Sequence, residues 1–132
     1  MNNLITVNLN IEQLKKPIGD MTCFLIVNKP HDDDVIKRIA EELICLSTEY
    51  EFYGKFEQAW HTSFDLVGID RFPDCTEYDV PLTMSEDDLN EFVNDIYIKL
   101  DYTESNNVML IYDDEDIFNK VIKLLSSHIK NL

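Results

Sequence analysis

Met21–Val27, MTCFLIV, is the stretch that most constrains how this chain folds. It is apolar almost without interruption, and a strand that reads this way is covered on both faces rather than half exposed to water. Pro30 ends it, and Asp32–Asp34 then open a helix whose Val35, Ile36, Ile39, Ala40, Leu43 and Ile44 fall on one stripe. Lys37, Arg38, Glu41 and Glu42 are left for solvent. Strand followed by helix is a phrase that the sequence repeats. Glu51–Tyr53 is a short aromatic strand ending at Gly54, followed by a helix with Phe56, Ala59, Trp60, Phe64 and Val67 on one face. A polar loop is expected over 68–77, then a strand over Val80–Met84, where Pro81 suits an edge or a strand end. Ser85, with Asp88 three residues on, reads as a capping-box variant opening a helix striped by Leu89, Phe92, Val93, Ile96 and Leu100. Val108–Tyr112 is strand-like, and Asp113 is expected to cap a last helix, 114–130, buried through Ile117, Phe118, Val121, Ile122, Leu125 and Ile129.

This alternation predicts one α/β domain over 1–132, a three-layer Rossmann-like sandwich. Its mainly parallel sheet would have about four to five strands and carry four helices. Residues 4–9, LITVNL, alternate apolar and polar positions and are expected to join as an antiparallel or edge strand. At 132 residues the chain is long enough for a single core. No apolar run approaches the roughly 18 residues of a spanning helix, and the N-terminus lacks the basic and apolar regions of a secretory signal. Cys23 and Cys45 fall at core-like positions and no C-x-x-C is present, so reduced packing thiols and a cytoplasmic location are expected.

Charge is the other constraint. With 26 Asp and Glu against 11 Lys and Arg, the formal net charge is −15. Such a surplus repels nucleic acid and anionic membrane and steers the chain toward basic partners. In a parallel sheet every strand-to-helix junction lies at the strands' carboxyl edge, where ligands generally bind. That edge is expected to gather Asp32, Asp33, Asp34, Glu86, Asp87, Asp113, Asp114 and Glu115 into a strongly negative surface. Acids in a first helical turn also satisfy free N–H groups and the helix dipole, worth about 0.3–1 kcal/mol each. Asp32–Asp34 with Asp113–Asp116 would alternatively suit Mg²⁺, which prefers carboxylates and water. No glycine-rich phosphate loop is present, and the histidines and cysteines lack zinc-like spacing. Cofactor and structural metal are therefore not expected. His61 and Asp65 stand i, i+4, able to share a helix face as base and orienting partner, but no nucleophile near them carries a distinctive signature.

Three resemblances attach to particular residues. Val108–Asp116, VMLIYDDED, resembles the acidic pocket of response-regulator receiver domains, although no matching phospho-acceptor Asp, Thr/Ser and Lys follow it. The series Phe52, Gly54, Trp60, His61, Asp65, then Thr83, Ser85, Asp87, Asp88 and Leu89, resembles a bacterial α/β domain family of unknown function and implies no activity. Phe52–Trp60, FYGKFEQAW, is similar to the Tyr-Gly…Trp segment of barstar-type ribonuclease inhibitors, with the Gly-to-Trp spacing one residue short. That likeness is one of functional analogy: a small acidic α/β protein that binds a basic enzyme.

The function expected from these features is an acidic protein-binding module, an immunity or inhibitor protein that neutralises a basic toxin such as a nuclease. Tyr53, Trp60, Phe72 and Tyr78 are the candidate anchors. His61, Asp65, Asp70, Asp74, Glu77 and Asp79 stand beside them. Alternatives are a non-catalytic adaptor subunit of a bacterial or phage assembly, or a small divalent-metal-dependent enzyme on the acidic edge.

Overall fold

A computed structural model describes residues 2–10, 21–47, 49–71, 82–101 and 107–130. Strands β1 (Asn3–Asn8), β2 (Met21–Ile26), β3 (Glu49–Tyr53), β4 (Leu82–Glu86) and β5 (Asn107–Tyr112) form one sheet in the order β1-β5-β2-β3-β4. Helices α1 (Asp33–Leu43), α2 (Glu57–Arg71), α3 (Leu89–Leu100) and α4 (Glu115–Lys130) follow the last four strands in turn. Every pairing is parallel. β1 is an edge strand as expected, and its partner β5 runs in the same direction, Asn3 opposite Asn107.

β2 is buried at every position, as its composition demands. Its Cys23 and Leu25 share a cluster with Tyr50 and Phe52 of β3, Leu43 of α1 and Trp60 and Phe64 of α2, while Phe24 and Ile26 share one with Phe92 and Ile96 of α3 and Val121 and Leu125 of α4. The helices therefore cover both faces in pairs, giving the three layers. Burial pushes the Cys23 thiol up to about 12, so it behaves as an apolar packing group. Cys45, by contrast, is exposed and disulfide-bonded, its partner lying outside the described residues, which corrects the expectation of a reduced core thiol there.

Several boundaries differ from the sequence reading. Residues 68–71 continue α2 instead of opening a loop, because Gly68 is buried against the core one helical position beyond Val67. Ala59 faces solvent, while Trp60, Phe64 and Val67 keep the buried stripe. Ser85 belongs to β4, and α3 starts four residues later. Its N-cap is Asp88, whose side chain accepts from Asn90 N and Glu91 N. Asp114, not Asp113, caps α4, accepting from Ile117 N at 3.2 Å. Residues 11–20 with the expected Pro17–Gly19 turn, and residues 72–81, lie outside the described residues.

One glycine is indispensable to the carboxyl edge. Gly54 has φ +129°, and a Cβ there would lie 2.5 Å from the Val27 carbonyl oxygen, which accepts from Phe56 N. Gly54→Ala is expected to destabilise the protein by about 2–4 kcal/mol, from backbone strain and overpacking together. Urea denaturation of the variant, compared with the unaltered chain, measures it.

Candidate functional site

The connections leave β2 and β5 in opposite directions. α1 and the strands after it lie to one side, while α4 packs on the other face of the sheet, so the carboxyl ends of β2 and β5 flank the topological switch point. In open α/β sheets that crevice ordinarily takes the ligand. Here the chain's own Asp113 fills it. Its side chain is fully buried. Oδ1 accepts from Asn28 N at 2.8 Å, and Oδ2 accepts from Lys29 N at 3.1 Å and from His31 Nε2 at 3.0 Å. Asp114 Oδ2 accepts from Asn28 Nδ2 at 2.9 Å and lies 3.8 Å from the Lys29 ammonium. The Asn28 amide bond holds the Asp114 carboxyl below its ordinary value, with the Ile117 N–H and Lys29 adding to it. Asn28 Oδ1 in turn accepts from Lys55 N, joining the ends of β2, β3 and β5. His31 then meets the edge of Trp60, ring centroids 5.7 Å apart.

The expected acidic edge is thus present but divided. Asp113 and Asp114 are buried and consumed by these bonds. Asp32, Asp33, Asp34, Asp87 and Glu115 are exposed, and Glu86 is half-buried, accepting from Asp87 N and Asp88 N. Asp32 makes no side-chain cap bond, so its charge is not accounted for by helix capping. Among the described residues, no three His, Cys, Asp or Glu side chains converge in a way that would hold a metal ion.

The candidate anchors fare differently. Trp60 is fully buried between α2 and the sheet, which corrects its assignment as a surface anchor: its helical spacing from Phe64 and Val67 puts it in the core stripe. Tyr53 is half-buried against Phe92, centroids 5.3 Å apart. Asp70 is exposed in the last turn of α2. Phe72, Asp74, Glu77, Tyr78 and Asp79 lie outside the described residues.

His61 and Asp65 gain a neighbour that their local sequence did not announce. His61 Nδ1 meets Ser85 Oγ at 2.6 Å, its Nε2 lies 3.4 Å from Asp65 Oδ2, and Thr83 Oγ1 donates to Asp65. A hydroxyl, an imidazole and a carboxylate in line have the order of an acyl-transfer triad. Such chemistry also needs donors aimed at a developing oxyanion. The surroundings here are acidic instead: beyond the effect of burial, Asp87 and Glu86 raise the carboxyl of nearby Glu57, which shows the sign of the field. The arrangement ties α2 to the edge strand β4.

Glu51 was missed as a site residue. It stands between Tyr50 and Phe52 on β3 and points to the face that α3 covers, which leaves it 4% exposed. Its Oε2 is buried with no hydrogen-bond partner, a situation that costs about 1–3 kcal/mol when uncompensated. Burial first, then the adjoining Asp95 carboxylate and Glu86, push its carboxyl up to about 9, against the opposing pull of Lys99.

Compared with protein-family models, with curated proteins and with solved structures, the chain has no significant match.

Two expectations follow from this geometry. Asp113→Ala removes a buried acceptor of three bonds, from Asn28 N, Lys29 N and His31 Nε2, and is expected to cost about 2–4 kcal/mol in chemical denaturation. Because Glu51 holds its proton more tightly folded than unfolded, the folded state binds more protons between its ordinary value of 4.5 and about 9. Stability should therefore rise as pH falls from about 8 to 5, by up to roughly 1 kcal/mol per unit. Below about pH 4 the trend reverses, as Asp114, whose carboxyl is held below 3.8, is protonated. Tm measured across this range, in the unaltered chain and in Glu51→Gln, should show the upper slope only in the former.

Proposed function

We propose that the protein is an acidic protein-binding module of the immunity or inhibitor kind, which neutralises a basic toxin, a nuclease, by occupying its positively charged cleft. The observation that carries this reading is the division of the acidic edge. The crevice in which such folds seat small ligands is closed by Asp113, while Asp32, Asp33, Asp34, Asp87 and Glu115 face solvent around it. A filled crevice rimmed by carboxylates suits a broad, charged contact better than an enclosed one. Nucleases carry cationic clefts for phosphates, and a carboxylate surface imitates the substrate's charge. Tyr53, half-exposed beside this rim, is an accessible member of the contact, whereas Asp70, in the last turn of α2, lies toward the opposite edge of the sheet. Trp60 supports it from beneath by fixing His31.

Charge complementarity of this kind acts chiefly on the rate of encounter and makes it salt-sensitive. The test is capture of basic proteins from the cell of origin at low and moderately high salt, followed by assay of the retained enzyme with and without the purified chain. The expected outcome is one basic enzyme, retained at low salt and inhibited stoichiometrically. Replacing Asp32, Asp33 and Asp34 together by Asn should slow its association about tenfold at low salt. Retention indifferent to both salt and neutralisation, or an enzyme bound without loss of activity, would overturn the reading.

A further inference from the structure

We propose that a cavity between α3 and the β3–β4 side of the sheet is a binding site for a primary alkylammonium group, with Glu51 and Asp95 holding the cation and Phe24, Met84 and Ile98 the alkyl stem. The cavity measures about 160 Å³ and is lined mainly by apolar surface. It opens on the flank of the sheet toward the beginnings of β2 and β3, away from the carboxyl edge, and it stands whether or not that edge binds a basic protein.

At its polar end, Glu49, Glu51 and Asp95 outnumber the single ammonium of Lys99. Glu51 lines the cavity with 4% of its surface exposed and presents a buried Oε2 that no donor reaches. Asp95, from α3, lines the same space and helps to push the Glu51 carboxyl up. Two carboxyls facing one small space repel each other when both are ionised, and a cation between them relieves that repulsion. Lys99 also borders the cavity, but its ammonium is engaged by Glu49 at 2.7 Å. From β4, Glu86 adds further negative potential at Glu51. An anion is therefore repelled, and a neutral ligand leaves the second carboxyl uncompensated. A compact ammonium brings three donors and the missing charge.

The other end selects the stem. Phe24 is fully buried, whereas Met84 and Ile98 are 38% and 48% exposed and offer apolar surface at the cavity mouth. A cavity of about 150 Å³ accommodates benzene, so the space suits a chain of the length of n-butylamine. On entry the ammonium pairs with Glu51, whose proton leaves to solvent. Binding thus releases a proton and tightens as pH rises. Alkylammonium groups reach a protein either as free amines or as lysine side chains of a partner; the recognition chemistry is the same.

The experiment is an NMR titration of the full chain, labelled at Met and Ile methyls, with n-butylammonium chloride, n-butanol and Nα-acetyl-lysine methylamide. Saturable shifts at Met84 and Ile98 are expected with n-butylammonium, at least about tenfold tighter than with n-butanol at pH 8, and tighter at about pH 8 than at pH 6. Glu51→Gln, its fold checked from backbone amide spectra, should erase the preference for the cation. Should that variant not fold, the cation–alcohol comparison on the unaltered chain decides alone. Equal affinity for n-butanol, or no saturable shift up to about 50 mM n-butylammonium, would overturn the proposal. Shifts shared by the lysine analogue would assign a partner's lysine as the source, and shifts with n-butylammonium alone would assign a free amine.

Discussion

Much of this structure hangs on one buried carboxylate. Asp113 ends β5, yet its oxygens are bound by the chain that leaves β2, through Asn28 N, Lys29 N and His31 Nε2. These strands are neighbours in the sheet, and the last backbone bond between them runs from Asp113 N to Ile26 O at 3.1 Å. Val27 then turns to β3 through Tyr53 O and Phe56 N, and the N–H groups of Asn28 and Lys29 would need solvent or another partner. The side chain supplies that partner. It fixes His31 against Trp60, and through Asn28 it fixes the turn that begins α2. The starts of three helices are thereby positioned by a single short side chain that reaches across the switch point.

The same residue types serve unlike purposes elsewhere. Asp88 and Asp114 cap helices. Glu86 folds back onto the amides that follow it. Glu51 is carried into the sheet–helix interface, where its neighbours favour the proton it would lose in water. The exposed acids, those of the rim among them, are left to shape the field outside. A net charge of −15 is thus a poor description of the molecule without the burial of each carboxyl, since a carboxylate neutralised by position and one presented to solvent contribute oppositely to recognition.

The sheet and its helices were legible because local patterns state them: the continuous apolar run of β2 and the stripes of α1, α3 and α4 have no other economical reading. Strand order was not, since parallel pairing joins residues like Asn3 and Asn107 that share no local signal. The end of α2 was misread because Gly68, ordinarily a helix breaker, is tolerated where the helix packs closely. Trp60 illustrates a site misjudged on residue type, although its spacing to Phe64 already placed it in the core. The acidic edge was legible as a set, but which members are consumed was not. Asp113 meets Asn28 across 85 residues of sequence, and Glu51 is buried by a helix beginning at Leu89. In both, the decisive neighbour lies far along the chain.

The strand order also bears on how the molecule can be made. β5, the last strand in the chain, sits between β1 and β2, the first two. As the chain emerges from a ribosome, β2, β3 and β4 can assemble in sequence, yet β1 has no neighbour and β2 keeps one bare edge until residues near 107 are released. Insertion of β5 joins both at once and brings Asp113 to its partners. A nascent chain therefore exposes its most apolar strand throughout synthesis, which favours pairing with other chains over that interval. Completion of the sheet is a single late event governed by the carboxyl-terminal strand.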